Sequence, residues 1–206
     1  MHAPSSGGAR RREEATLAGE APTFKSALDG YAELESEIRT MISGLFGEVC
    51  ALCTSSCCTP DICEESEYSA FLRAVRVAHG KPSAFCDRFG WLTERGCGLT
   101  VGRPPVCYGF FCNEILDSMQ ERERIILRVL GRLLSWVGER AAGTRHLVEF
   151  GDDASLSEIN ASRLIERIGV ARTALLGVKS AFNTERLSLE QQDAVRRVSP
   201  SAEFDA

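Results

Sequence analysis

Apolar and polar residues alternate along most of this chain in the pattern of amphipathic helices. From Phe24 to Leu45, apolar residues recur at helical spacing, which predicts a helix of about six turns that leads to Cys50. Its apolar positions are Phe24, Leu28, Tyr31, Leu34, Ile38, Met41, Ile42 and Leu45. Residues 1–22 contain almost no large apolar side chains, so we expect a disordered tail there.

A second helix is predicted from Pro60 towards His79. Thr59 is a favourable N-cap, and Pro60 suits the first helical position. Gly80 is typical of a helix end. The residues predicted to form its buried stripe are Tyr68, Phe71, Leu72 and Val75.

Glycine and proline dominate the next segment, residues 80–112, and predict irregular loops. No convincing alternating strand pattern occurs here or elsewhere in the chain. Loops of this kind bury little apolar surface, so a bound metal is one way to hold them in place.

Helical spacing returns after Asn113. A long amphipathic helix is predicted there, with apolar positions at Ile115, Leu116, Met119, Ile126, Val129, Leu130, Leu133, Leu134 and Val137. Ser155 and Glu158 have the spacing of a capping box and predict the start of another helix, which would continue through Val178. A short last helix is predicted over 187–195.

These patterns predict a mostly α fold: a helical domain with a loop-rich, cysteine-clustered metal-binding region and C-terminal helices. We expect a tail at 1–22, a cysteine-cluster domain at 23–114, a helical region at 115–197 and a flexible tail at 198–206.

Composition narrows the functional classes. The formal net charge is -5 and hydrophobic residues make up 44% of the 206 residues, so a nucleic-acid-binding surface is not expected. The N-terminus lacks the apolar region of a secretory signal, and no apolar run is long enough to span a membrane. We therefore expect a cytoplasmic protein, in which disulfides rarely persist and clustered cysteines indicate metal or redox chemistry.

The nine cysteines are the candidate chemistry of the chain. Four fall within nine residues with the spacing Cys-x2-Cys-x3-Cys-Cys, at Cys50, Cys53, Cys57 and Cys58, and a second group contains Cys97, Cys107 and Cys112. Thiolates select zinc, copper(I) or iron–sulfur clusters, and Cys-x2-Cys serves zinc and iron–sulfur sites equally. Adjacent side chains usually diverge, so Cys57 and Cys58 are not expected to bind one ion together. Either they ligate two neighbouring centres, or one of them is a ligand while the other packs in the protein.

The two cysteine groups together resemble the CxxCxxCC-type family of zinc- or iron-chelating proteins, also called the YkgJ-type cysteine-cluster family. The first half of the resemblance is Cys50-Ala-Leu-Cys53-Thr-Ser-Ser-Cys57-Cys58. The second is Gly96-Cys97, then Arg103-Pro104, then Cys107-x4-Cys112 with Phe111 before the last cysteine. The resemblance covers about residues 46–114, and the first group departs from the family pattern by having x3 in place of x2.

The resemblance implies a set of ligands. The seven cysteines that match the motif are Cys50, Cys53, Cys57, Cys58, Cys97, Cys107 and Cys112. Phe89 stands where the family has its eighth cysteine, so Cys86 is the nearest substitute and Cys63 the runner-up. Arg103 is a candidate cofactor-binding residue, because a cation beside thiolates lowers the charge of the site or donates hydrogen bonds to sulfur. The alternative for Arg103 is a surface side chain in the extended segment before Pro104.

Three functional interpretations follow. The first is a metal-binding protein that holds an iron–sulfur cluster, for example a 4Fe-4S cluster, or zinc. The second is a cluster-dependent enzyme of methyl transfer or redox chemistry, although the sequence shows no nucleotide-binding loop, radical-SAM motif or acid–base constellation. The third is an interaction module in which metal stabilises the fold and the C-terminal helices bind a protein partner.

Overall fold

The structure, a computed structural model, describes residues 23–52, 60–80, 85–93 and 96–202, without the side chains of residues 46–52, 96 and 114. The described helices are α1 (Phe24–Leu52), α2 (Pro60–Tyr68), α3 (Ala70–His79), α4 (Asn113–Asp117), α5 (Glu121–Gly138), α6 (Ala161–Phe182) and α7 (Leu189–Val198). Two short strands, β1 (Leu92–Thr93) and β2 (Gly96–Cys97), pair antiparallel. Short 3-10 turns cover Pro105–Tyr108, Leu147–Glu149 and Ala154–Glu158. The prediction of a mostly α fold is confirmed, while the predicted tail at 1–22 lies outside the described residues.

None of the helices in the described ranges is long and apolar enough to cross a membrane.

The single helix predicted between Pro60 and His79 is in fact two helices, α2 and α3, with Ser69 between them. The Ser69 side chain accepts a hydrogen bond from the backbone N–H of Leu72 and caps α3. The Ala70 N–H then leaves the helical pattern and donates to the carbonyl oxygen of Phe150, at 2.6 Å. Tyr68, expected in the buried stripe, is therefore 69% exposed, whereas Phe71, Leu72 and Val75 are fully buried.

The predicted long helix after Asn113 is also divided. Gln120 forms a capping box with Glu123 and starts α5, so the shorter α4 ends at Asp117. The apolar period continues across this break, which explains why periodicity alone did not reveal it.

The prediction that a helix begins at a capping box of Ser155 and Glu158 is wrong. The Ser155 hydroxyl donates to the Asp152 carbonyl within a 3-10 turn. Asn160 caps the following helix instead, since its side chain accepts from the Arg163 N–H at 3.0 Å. The last predicted helix is confirmed as α7, with Ser188 and Gln191 forming its capping box.

One hydrophobic core joins the two halves of the chain. Helix α6 packs against α1, α5 and α7, and α3 packs against α1. Phe71 of α3 meets Tyr31 of α1 edge to face, with ring centroids 5.1 Å apart. Val198 and Ala202 are buried in the same core as residues of α1 and α3. Residues before and after position 114 therefore contribute to one hydrophobic core.

Gly131 of α5 touches the chain that follows the turn Pro105–Tyr108. A Cβ at Gly131 would lie 2.6 Å from the Gly109 Cα and 3.0 Å from the Tyr108 carbonyl oxygen. This close approach of two backbones holds the segment that carries Cys107 against α5.

Gly131→Ala is expected to lower the free energy of unfolding by about 1–3 kcal/mol, because the backbone clash outweighs the better helix propensity of alanine. Gly169→Ala in α6 is the matched control, since a Cβ there meets no described atom within 4 Å. We expect the control to gain about 0.5–1 kcal/mol. Urea unfolding followed by circular dichroism measures both, and equal stability of the two variants would contradict the close-approach argument.

Candidate metal centre

The first cysteine group lies between α1 and α2. Cys50 belongs to the last turn of α1, although its side chain is not among those described. Cys53, Cys57 and Cys58 lie outside the described residues. Ligation by these four cysteines therefore stays a prediction, and the structure describes the two helices on either side of them.

The second cysteine group sits on three different local structures. Cys97 is in β2, Cys107 is in the turn Pro105–Tyr108, and Cys112 is the N-cap residue of α4. Each of the three is half-buried. Residues at these positions are partly accessible to solvent.

A buried carboxylate anchors the chain between Cys97 and Cys107 to α1. Glu35, which has no exposed surface, accepts hydrogen bonds from the backbone N–H groups of Gly102, at 2.7 Å, and Arg103, at 2.9 Å. The Tyr108 hydroxyl donates to the same carboxylate at 2.7 Å. Three donors from one seven-residue stretch thus converge on a single side chain of α1.

Two opposing effects of its surroundings determine the pKa of Glu35. Burial raises the pKa of Glu35, while the hydrogen bonds from Gly102, Arg103 and Tyr108 oppose the rise. Burial, together with the Glu35 charge, also raises the pKa of Tyr108 well above its usual value. The carboxylate is therefore held in the interior by its hydrogen bonds.

Gly102 lets the anchored turn approach α3 closely. Its φ of +73° lies in the left-handed region that favours glycine, and a Cβ there would lie 2.7 Å from the Leu72 carbonyl oxygen. The Arg76 guanidinium bridges this turn to α2, because Nη1 donates to the carbonyl oxygens of Ser66 and Gly102, at 2.6 and 3.5 Å.

Arg103 closes the same turn from within. Its Nε and Nη2 both donate to the Leu99 carbonyl oxygen, at 2.9 and 2.7 Å. A guanidinium has five N–H donors, so these two bonds leave others for a further acceptor. The structure gives Arg103 a role in shaping the turn, and contact with a cofactor stays a prediction.

Cys63 lies in a small hydrophobic cluster separate from the main core. The cluster contains Cys63, Trp91 and Leu99, with Phe85 and Cys97 packed against it. Gly90 has a φ of +60°, and a Cβ there would lie 2.6 Å from the Cys63 Sγ. The Trp91 indole N–H donates to the Ser66 hydroxyl at 2.7 Å. Cys63 is thus a tightly packed, buried thiol.

Cys86 differs from Cys63 in being exposed. Its backbone pairs with Gly90, since the Cys86 N–H donates to the Gly90 carbonyl oxygen at 3.0 Å. The two candidates for the eighth ligand therefore both adjoin Gly90, and Cys63 is buried whereas Cys86 is exposed.

The described histidines have structural partners. His79 Nε2 lies 2.9 Å from the Asp29 carboxylate. His146 Nδ1 accepts from the Val148 N–H and caps a 3-10 turn, while its Nε2 lies 2.9 Å from the Ser135 carbonyl oxygen. Both described imidazole rings thus have polar partners within the protein.

The described residues do not by themselves form a metal site. Within the described ranges, no three or more Cys, His, Asp or Glu side chains are grouped so as to hold a metal ion. Cys97, Cys107 and Cys112 alone therefore do not form a metal site, and the further ligands predicted for such a site include Cys50, Cys53, Cys57 and Cys58.

Sequence reasoning missed Glu35, although a signal was present. Glu35 lies four residues after Tyr31 and three before Ile38, and so falls inside the apolar stripe of α1. A carboxylate in such a stripe needs buried donors, and the structure supplies them from the turn at Gly102.

No family model, no curated protein and no solved structure matches this chain.

Proposed function

We propose that this chain is a metal-binding protein whose cysteine thiolates hold an iron–sulfur cluster or zinc. The observation that carries the proposal is the cysteine pattern, with four cysteines in nine residues and three more around Arg103-Pro104. This pattern resembles that of the YkgJ-type zinc- or iron-chelating family. The proposed ligands are Cys50, Cys53, Cys57, Cys58, Cys86, Cys97, Cys107 and Cys112.

The packing of the cysteine region supports a stabilising metal. Residues 85–99 contribute Trp91 and Leu99 to a separate cluster with three buried members, and Val106 and Phe110 are about half exposed. A core of this size supplies little stability. A metal bound by thiolates adds folding free energy directly, because the assembled site is rare in the unfolded chain.

The polar anchors support the same proposal. Glu35, Arg76 and Arg103 hold the chain between Cys97 and Cys107 by hydrogen bonds to its backbone. Fixing the backbone in this way pre-organises the turn that precedes Cys107, so less conformational freedom is lost when a metal binds. When bound, an iron–sulfur cluster would supply electron-transfer chemistry and zinc would supply a structural cross-link.

Anaerobic purification of the full chain tests the proposal. A brown protein with broad absorbance near ~400 nm, with iron and sulfide by elemental analysis, is the result expected of an iron–sulfur cluster. A colourless protein that contains zinc is the result expected of a zinc site. A variant with Cys50, Cys53, Cys57 and Cys58 all changed to Ser, prepared in parallel, controls for adventitious metal. Wild-type protein with no more metal than this variant would overturn the proposal.

A further inference from the structure

We propose that a cavity between α2 and α5 binds a small organic cation, an amine with an apolar body, through the carboxylate of Glu65. The cavity has a volume of about 460 Å³, within the range typical of ligand sites. The turn at Pro105–Tyr108 and the turn at Leu147–Glu149 complete its walls. None of the described residues that line it is a proposed metal ligand, so the inference does not depend on the metal.

The carboxylate of Glu65 lacks a partner in the wall of this cavity. Glu65 is half-buried, and within the described parts of the chain its side chain has no hydrogen-bond donor and no ion pair. Both carboxylate oxygens remain accessible to solvent, so a ligand atom can contact them. Burial raises the pKa of Glu65, which shows that water alone solvates this carboxylate poorly. A cation supplied by a ligand would stabilise it.

His146 is the one described group whose charge would oppose this rise in the Glu65 pKa, but its hydrogen bonds keep the ring neutral. The Val148 N–H donates to Nδ1 at 3.3 Å, and Nε2 donates to the Ser135 carbonyl oxygen at 2.9 Å. An imidazole that accepts at one nitrogen and donates at the other carries no charge. The protein therefore places no cation beside Glu65 in this arrangement.

The other charged side chains of the cavity have partners of their own. Arg132 pairs with Glu139 and donates to the Ser135 hydroxyl at 3.3 Å. Glu149 accepts a hydrogen bond from the backbone N–H of His146 at 2.9 Å. Two carboxylates and one guanidinium thus line the cavity, which leaves a single negative charge. A monocation balances that charge, whereas an anion would add to it.

Apolar walls define the rest of the ligand. Pro105, Val106 and Phe110 line the cavity, and Val106 and Phe110 are about half exposed. An apolar body would cover this surface, and the Phe110 ring is of the kind that attracts a cation. The class that fits is therefore a monoamine with a short apolar body.

Isothermal titration calorimetry of the full chain with hexylamine at pH 7 tests this inference. We expect one saturable site per chain, with hexanol and hexanoate at least about tenfold weaker, because neither supplies a positive charge. Glu65→Gln is expected to weaken hexylamine binding about tenfold or more. Glu64→Gln, at the neighbouring exposed position of α2, is the matched control and should bind as wild type does.

Glu65→Asp is a second variant, which retains the charge on a shorter side chain and should bind hexylamine more tightly than Glu65→Gln does. Circular dichroism establishes that each variant is folded. Failure of hexylamine to saturate, equal binding by Glu65→Asp and Glu65→Gln, or equal binding of hexanol would overturn the inference.

An amine that bound at a metal centre instead would bind to Glu65→Gln as tightly as to wild type, and this outcome would also overturn the inference. Loss of hexylamine binding in Glu65→Gln with unchanged metal content would support it. These outcomes are separate from the test of the cysteine site, since that test measures metal content alone.

Discussion

Glu35→Ala is expected to lower the free energy of unfolding by about 3–5 kcal/mol, because it leaves buried donors without their acceptor. The donors are the backbone N–H groups of Gly102 and Arg103 and the hydroxyl of Tyr108. Glu35→Gln should cost less, about 1–3 kcal/mol, since one carbonyl oxygen remains while the new amide nitrogen faces a donor.

The measurement combines urea unfolding with amide hydrogen exchange. Both variants should accelerate exchange at Gly102 and Arg103 more than in α6, because the turn loses its anchor first. Glu37→Gln, two positions along α1 at a surface pair with Lys179, is the matched control and should change stability by less than about 0.5 kcal/mol. A Glu35→Ala variant as stable as this control would contradict the anchoring role.

The sign of the pH dependence follows from the raised pKa of Glu35. Because the folded state holds the proton more tightly than the unfolded state, this contribution to stability is fully present below the ordinary glutamate pKa. It is lost as pH rises through the raised value. The stability of wild type relative to Glu35→Gln should therefore fall as pH rises from the ordinary range.

Cys86→Ser is expected to reduce the metal per chain by about half if the eight thiolates hold two centres, because removal of one thiolate opens one centre. Cys86 is exposed, so serine at this position should leave the surrounding packing unchanged. Loss of metal would then report ligation and not unfolding.

Cys63→Ala provides the comparison. Cys63 is packed against Gly90 and belongs to the cluster of Trp91 and Leu99, so its truncation should cost about 1 kcal/mol of stability while the metal content stays constant. Elemental analysis of anaerobically purified variants measures the metal. Loss of metal from Cys63→Ala and not from Cys86→Ser would reverse the assignment of the eighth ligand.

The helical segments could be predicted from the sequence, but the breaks within them could not. The apolar stripes of α1 and α3 follow directly from spacing, and Gly80 ends α3 as predicted. The breaks at Ser69 and Gln120 arise from caps that compete with continuation of the helix. At Ser69, a distant carbonyl oxygen from Phe150 contributes, and sequence spacing carries no record of such a partner.

The cysteine region illustrates a second limit. The spacing of Cys97, Cys107 and Cys112 indicates ligand chemistry, but not how the chain between them is held. Glu35 is 67 residues away from Gly102 in sequence, and only the packing of α1 brings them together. The pairing of β1 with β2 was also missed, because two-residue strands are too short to show an alternating pattern.

The separation between Glu35 and its donors has a consequence for synthesis and folding. In a growing chain, Glu35 is made 67 residues before Gly102 and 73 before Tyr108, so its carboxylate remains hydrated while α1 and α3 are already available to pair. Contacts that close long loops form late. The turn at Gly102 should therefore dock among the last steps, when its amide groups replace the water around Glu35. In a ribosome-bound chain that stops short of Gly102, the Glu35 carboxylate on α1 would consequently be hydrated, whereas in the finished protein it is buried.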